Sequence, residues 1–260
     1  MIELGNCKLY LGDCLEIMKQ IEDKSIDMIL CDLPYAVLNK NNSNAQWDKI
    51  IPFDKLWAEY ERIVKDNACI ALFCDGLFMA ELMLSNKKMW RYNIVWNKVL
   101  TSGFLNANKM PLRQTEEIAI FYKQLPIYNP QKFIGNKNHS KGKIKENRNN
   151  NYGKHKFVDN SETLGEQKLP TSLISFSKTH PSKMVHPTQK PVALCEYLIK
   201  TYTNENMVVL DNCAGSMTTG IACQNLNRKC ILIEKDENFF QIGKKRLQEN
   251  ANRLAEYLIL

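Results

Sequence analysis

Val208-Val209-Leu210-Asp211-Asn212-Cys213-Ala214-Gly215-Ser216-Met217-Thr218-Thr219-Gly220 decides the fold. A short apolar run ends in an acid, passes through a turn of small residues and enters a segment of helical character at Ile221 and Ala222. A strand feeding a helix in this way opens a β-α-β unit, and small residues let the backbone approach a ligand closely. The turn lacks the Gly-x-Gly-x-x-Gly of a dinucleotide site and the Gly-Lys-Ser/Thr of a phosphate loop, which argues against a pyrophosphate ligand. About twenty residues further on, the run Cys230 to Ile233 ends in Glu234, an offset suited to a carboxylate that accepts hydrogen bonds from ribose hydroxyls. Taken alone, the string reads equally well as a tight turn followed by a capped strand end.

Working outward, further apolar runs read as buried strands at Cys7 to Leu11, Ile26 to Cys31, Ala68 to Cys74, Tyr92 to Asn97, Ile118 to Tyr122 and Met207 to Leu210. Helical patterns lie between them. Phe53 to Lys65 puts Phe53, Leu56, Trp57, Tyr60, Ile63 and Val64 on one face, and Pro191 suits the first turn of a helix reaching Thr203. Strands separated by helices require crossover connections, so the expectation is an α/β fold with a doubly wound parallel sheet and antiparallel strands added after Trp90.

The chain has 260 residues and a formal net charge of +7, and the excess is concentrated. Between Lys123 and Gln189 twelve basic residues face four acidic ones, leaving the rest close to neutral. Within this stretch, positions 129–171 are rich in Asn, Lys, Gly and Ser and show no sustained period. That composition fits a surface insertion, or a nucleic-acid-binding arm in which cations meet phosphates while Asn, Tyr152, His155 and Phe157 reach bases. The nine cysteines lack Cys-x-x-Cys spacing and sit in apolar runs, which suggests buried thiols in a reducing, cytoplasmic setting. Neither a signal sequence nor a membrane span is expected.

Two more strings carry chemistry. Asp32-Leu33-Pro34-Tyr35 follows the run Ile26 to Cys31, at a strand's carboxyl end, where open α/β sheets bind ligands; by itself it also fits ordinary turn chemistry. In His186-Pro187-Thr188-Gln189-Lys190-Pro191, two prolines fix the backbone around a hydroxyl and a cation, a pair able to hold a small carboxylate. A lone His there reads as structural, and no spacing supports a metal site or a hydrolytic triad.

These strings resemble motifs IV, X and I of amino-group DNA methyltransferases that use S-adenosylmethionine. The order IV, X, I is that of the circularly permuted β class, and the resemblance runs from Tyr10-Leu11-Gly12-Asp13-Cys14 to Glu234-Lys235-Asp236. It implies a mostly parallel, seven-stranded Rossmann-like sheet, with residues 1–124 as the catalytic half, 125–180 as a target-recognition insertion and 181–260 as the cofactor-binding half. The implied activity is direct methyl transfer to the N6 amino group of an adenine flipped from double-stranded DNA. In the family's pattern the Asp32 carboxylate and the Leu33 carbonyl accept the amino hydrogens, and Pro34 and Tyr35 complete the catalytic group, Tyr35 stacking on the base. Asp13 is implied at the cofactor's adenine edge and Glu234 at its ribose. Asp211 with Cys213, Gly215 and Ser216, close to Asp32, would take its methionine portion, and Thr188 with Lys190 its carboxylate. Lys141, Lys143, Lys145, Arg148, Lys154 and Lys156 would contact DNA. A homodimer and a partner restriction endonuclease are further expectations of the resemblance.

Leu33 stands where Pro is commonest, Ala36 and Met217 where Gly is usual, and Cys213 replaces a frequent Phe. Met217 is the departure with consequences, since a side chain there could crowd the cofactor and leave a DNA-binding relative without catalysis. Cytosine N4 is the alternative target, though Asp at the head of the tetrapeptide leans to adenine; RNA and protein glutamine are more distant alternatives. Cytosine C5 chemistry needs a nucleophilic Cys, usually in a Pro-Cys pair, and none of the nine prolines precedes Cys. Trp47 and Ser102-Gly103-Phe104 flank the expected pocket, and Trp47 and Phe104 read equally as core aromatics.

Overall fold

The computed structural model describes residues 1–36, 48–136, 166–179, 182, 184–186 and 188–257. They fall into two units, Met1–Asn129 with Ser172–Leu260, and Pro130–Thr171. In chain order the elements are β1 (Ile2–Leu4), β2 (Cys7–Leu11), α1 (Cys14–Met18), β3 (Ile26–Asp32), α2 (Phe53–Ile63), β4 (Val64–Cys74), α3 (Gly76–Ser85), β5 (Trp90–Ser102) and β6 (Arg113–Phe121). They continue with β7 (Phe133–Ile134), β8 (Gln167–Lys168), β9 (Leu173–Ser175), α4 (Val192–Tyr202), β10 (Val208–Asp211), α5 (Thr218–Asn225), β11 (Lys229–Glu234) and α6 (Glu237–Tyr257). In the second unit, β7 and β8 pair antiparallel.

The sheet of the first unit runs β1-β2-β11-β10-β3-β4-β6-β5-β9. Its inner seven strands are those the family resemblance implies, and the short strands β1 and β9 extend it at either edge to nine. From β2 through β11, β10 and β3 to β4 every pairing is parallel. Antiparallel β6 then lies between β4 and β5, in line with the expectation of antiparallel strands after Trp90. The chain leaves β3 for β4 on one side and β10 for β11 on the other, so β3 and β10 flank the point where strand order reverses, the place where such sheets bind ligands.

Alternation along the strands divides the core into two layers. Met28, Leu30, Ala71, Phe73, Val209 and Leu232 pack with Leu194 and Leu198 of α4, Ile221 and Ala222 of α5, and Phe240 and Leu247 of α6. Ile29, Cys31, Ile70, Leu72, Leu210 and Ile233 pack on the other face with Ile17 and Met18 of α1, Leu56, Trp57 and Tyr60 of α2, and Phe78 and Leu82 of α3. Each fully buried Val, Leu, Ile, Met or Phe among them stabilises the fold by about 1.5–3 kcal/mol. Helix α2 stops at Ile63, and Val64, expected on its apolar face, begins β4 instead. All nine cysteines are free thiols and only Cys213 is not fully buried. Among the described residues no helix is long and apolar enough to cross a membrane.

Candidate active site

A cleft of about 1110 Å³ opens at the carboxyl ends of β3 and β10. Its lining brings together Asp13, the tetrapeptide Asp32 to Tyr35, Thr188, Lys190, Asp211, Cys213, Gly215, Ser216 and Glu234, residues scattered over more than two hundred positions of the chain. The six cations expected to contact DNA lie outside the described residues, as do Trp47 and Pro187.

Asp32 is the last residue of β3, and each of its oxygens has a partner. The Tyr35 hydroxyl donates to Oδ1 at 3.0 Å, and the Lys190 ammonium lies 2.9 Å from Oδ2. Lys190 also lies 2.7 Å from Oε1 of Glu116, which β6 delivers from across β4, and it sits 4.9 Å over the Phe73 ring. Burial raises the Asp32 carboxyl pKa and the Glu116 charge adds to this, while Lys190 opposes it. Burial alone would lower Lys190, but Asp32 and Glu116 more than offset it and keep the ammonium charged. The Tyr35 phenol is raised well above its ordinary value by burial and by the same two carboxylates, so it remains a proton donor. Its ring stacks on Phe78 of α3 at 4.6 Å, which fixes the tetrapeptide against the helix layer.

Beside this cluster, Asp211 ends β10. Its Oδ2 accepts from the Thr219 hydroxyl at 2.7 Å and its Oδ1 from the Cys213 N–H at 3.2 Å. Burial raises its pKa to about 7 despite those bonds. Asn212 is buried, and its side-chain oxygen accepts from the Tyr60 hydroxyl of α2 at 2.5 Å, tying the turn to the opposite layer. Glu234 accepts from the Gly215 N–H at 2.7 Å and from the Asp236 N–H at 2.7 Å, bracing the turn against the end of β11. Asp13 caps α1 by accepting from the Leu15 N–H and pairs with Lys235 at 3.0 Å. The Thr188 N–H donates to Nδ1 of His186 at 3.3 Å. Burial first, and then Lys190, lower the His186 pKa to about 4, so the ring is neutral at pH 7. That ring lies over Gly215, where φ is +48° and a Cβ would come within 3.4 Å of it.

Met217 does not crowd the cleft. It adopts φ +59°, the left-handed conformation that makes Gly usual there, and its fully buried side chain turns towards α6. A Cβ on Gly243 would lie 2.5 Å from Met217 Cγ, so the missing side chain at 243 makes the room. Ala36 is likewise left-handed, at φ +57°, and its N–H donates to buried Asp48 at 2.8 Å. Phe104, read as a core aromatic or a pocket flank, is 77% exposed and outside the core. Glu116 went unread because an acid in the polar first half of β6 looks like any solvated strand residue; its partner lies 74 positions away.

The carboxylates of this cleft suit a ligand with hydroxyls and positive charge: Glu234 and Asp13 have lone pairs to spare, and buried Asp211 gains from a nearby cation. Fold and site together define a doubly wound α/β protein whose carboxylate-lined cleft at the strand-order reversal suits a nucleoside-containing ligand. The model of the N6/N4 methyltransferase family of DNA methylases matches residues 26–245. Type II methyltransferase M2.MboI of Moraxella bovis is 30% identical, covering 94% of this chain and 88% of its own. DNA adenine methyltransferase YhdJ of Escherichia coli (strain K12) is 28% identical over 95% of this chain and 84% of its own. A crystal structure of the M1.HpyAVI-SAM complex superimposes with a TM-score of 0.62 at 26% identity, over 93% of this chain and 98% of that one. The chain belongs to this family of S-adenosylmethionine-dependent DNA methyltransferases.

Proposed function

We propose that the protein methylates the N6 amino group of adenine within a specific site in double-stranded DNA, acting on a base turned out of the helix. The observation that carries this reading is the Asp32 carboxylate, held by Lys190 and Tyr35 in the same cleft as Asp211 and Glu234. A relative named as a DNA adenine methyltransferase supports the choice of base. Bound S-adenosylmethionine supplies a methyl group on a sulfonium, already activated for displacement.

The chain's own part is alignment and charge. The Asp32 carboxylate accepts one amino hydrogen of the adenine and the Leu33 carbonyl the other, which turns the nitrogen lone pair out of the ring plane. Ionised Asp32 then stabilises the positive charge that develops on nitrogen, and one of the two amino hydrogens leaves as a proton to solvent, giving the neutral methylamino group. Pro34 stiffens the tetrapeptide, and Tyr35, backed by Phe78, gives the base an aromatic wall. Lys190 acts here as a positioning residue: its single positive charge lies between Asp32 and Glu116, offsets their mutual repulsion and favours the ionised form of each. Asp13 and Glu234 would hold the cofactor's adenosine, and Asp211 with the turn Cys213, Gly215 and Ser216 its methionine portion, Thr188 lying at the carboxylate end, where Lys190, expected beside it, instead pairs with Asp32 and Glu116. Lys141, Lys143, Lys145, Arg148, Lys154 and Lys156, within the proposed target-recognition segment 125–180, would meet the DNA phosphates. The Type II names of relatives support a restriction endonuclease sharing the site, and the enzyme is proposed to act as a homodimer.

The test is transfer of labelled methyl from S-adenosylmethionine to unmethylated phage DNA, followed by mass spectrometry of the nucleosides. N6-methyladenine is the expected product; N4-methylcytosine overturns the choice of base, and no product overturns the activity. Asp32→Ala is expected to abolish transfer while DNA affinity stays within a few-fold, because phosphate contacts dominate binding.

A further inference from the structure

Beside the cleft, the chain between β5 and β6 exposes an apolar tip that no described part of the fold covers. Phe104 is 77% and Leu105 84% exposed, with Met110 and Leu112 also open to solvent. The tip is stiff. The Asn106 N–H donates to the Gly103 carbonyl at 2.9 Å, Ala107 to Phe104 at 3.1 Å, and Lys109 and Met110 both to Asn106, at 2.8 and 3.0 Å. Its two ends, Ser102 and Arg113, are paired across the strands and themselves line the cleft, so the tip stands at the cleft mouth. Lys109 and Arg113 lie on and beside it, Arg113 reaching Asp75 at 3.8 Å, whereas Lys98 is buried. Lys178 joins them, its ammonium donating to the Thr101 carbonyl at 3.3 Å.

An apolar knob flanked by Lys109, Arg113 and Lys178 and held beside a base-sized cleft fits one kind of partner. A duplex that has lost a base to the cleft offers an apolar gap between stacked bases, bordered by phosphates. We infer that Phe104 and Leu105 form a wedge that enters the base stack where the target nucleotide leaves it, while Arg113 and Lys178 face the flanking phosphates. The inference rests on the DNA-methylating reading above and adds to it the element that opens the helix. Filling the gap offsets the unstacking that extrusion of a base requires. A mismatched base leaves the stack more easily, so the need for a wedge falls there.

The experiment uses the full-length protein and the sequence that wild type methylates, mapped on unmethylated phage DNA. Two duplex oligonucleotides carry that sequence, one fully paired and one with a mismatch opposite the target adenine. For Phe104→Ser/Leu105→Ser, two exposed positions whose change leaves the core intact, single-turnover methylation of the paired duplex is expected to fall roughly 10- to 100-fold. The mismatch is expected to restore most of that loss, and 2-aminopurine at the target position to show a smaller fluorescence rise with the variant than with wild type. Equal rates for variant and wild type on the paired duplex overturn the wedge, as does an equal loss on both duplexes. A variant that turns monomeric where wild type is dimeric, at matching loss, assigns the tip to a subunit interface and also overturns it. Wild type without methyl transfer to either duplex sinks the enzymatic reading itself, which separates the two failures.

Discussion

Met217 and Asp211, six positions apart, illustrate opposite kinds of local tension. The left-handed backbone at Met217 stores roughly 1–2 kcal/mol of strain, yet its buried side chain fills the space over Gly243. Large-to-small replacement of a buried Met costs about 2–5 kcal/mol, so the packing outweighs the strain. Met217→Gly, although it installs the residue usual in the family, is therefore expected to lower the denaturation midpoint, by about 1–3 kcal/mol in stability, with little change in cofactor affinity. Asp211 carries a burden of the other kind, since burial lifts its pKa to about 7. Between the unfolded value near 4 and pH 7, the native carboxyl holds a proton that the unfolded chain has lost. This group's contribution to stability consequently falls as pH rises through that window and levels off above it. Cofactor binding runs the other way: ionised Asp211 attracts a cationic ligand, so calorimetric affinity for S-adenosylmethionine is expected to strengthen from pH 6 to pH 8. An affinity flat over that range would remove Asp211 from the cofactor's charged portion. Lys190→Met leaves Asp32 and Glu116 facing each other without a cation, which raises Asp32 further. The acid limb of the methylation pH profile should then move to higher pH, whereas a purely structural role for Lys190 would lower the rate equally at every pH.

Among the elements, legibility followed the strength of the hydrophobic period. Helix α2 and the inner strands could be read because their apolar residues are dense and regularly spaced, whereas α6 presents a thin stripe, with Phe240 and Leu247 separated by Gly243. Strand β9 has only three residues and acquires its identity from β5, against which it lies parallel, a pairing no local pattern announces. Trp96 is the hinge of that edge. Its indole N–H donates to the Phe176 carbonyl at 2.8 Å, and its ring meets Phe73 edge-on at 6.3 Å between centroids. Trp96→Ala is expected to destabilise the protein by about 3–5 kcal/mol and to expose the β9 segment to proteases before the rest of the sheet. Coincident loss of both would mean that β9 unfolds only with the whole.

At the scale of the whole molecule, the site was readable where chemistry is concentrated in contiguous strings and opaque where it depends on distant pairs. Asp32 to Tyr35, the turn after Asp211 and the segment around Lys190 could each be found as short strings, but the bond between Lys190 and Glu116 required the β4-β6 pairing to exist first. The exposed tip at Phe104 was unreadable for a related reason: an aromatic residue in a short apolar run gives no indication of whether anything covers it. Charge distribution, by contrast, needs only counting. Replacing Lys141, Lys143, Lys145, Arg148, Lys154 and Lys156 by Ala is expected to flatten the dependence of DNA affinity on salt by about 0.9 logarithmic units for each phosphate left unneutralised, measured by titration at several salt concentrations. An unaltered slope would remove these cations from the DNA interface. The interlock of Met217 with Gly243 also bears on ancestry. If Met217 replaced an ancestral Gly, any larger residue at 243 had to yield first, because a Cβ there collides with Met217. Once both changes were in place, each closed the other's way back: enlarging 243 meets the methionine, and shrinking 217 opens a void. A lineage that entered this arrangement in one order can leave it only in the reverse order, through a less stable intermediate.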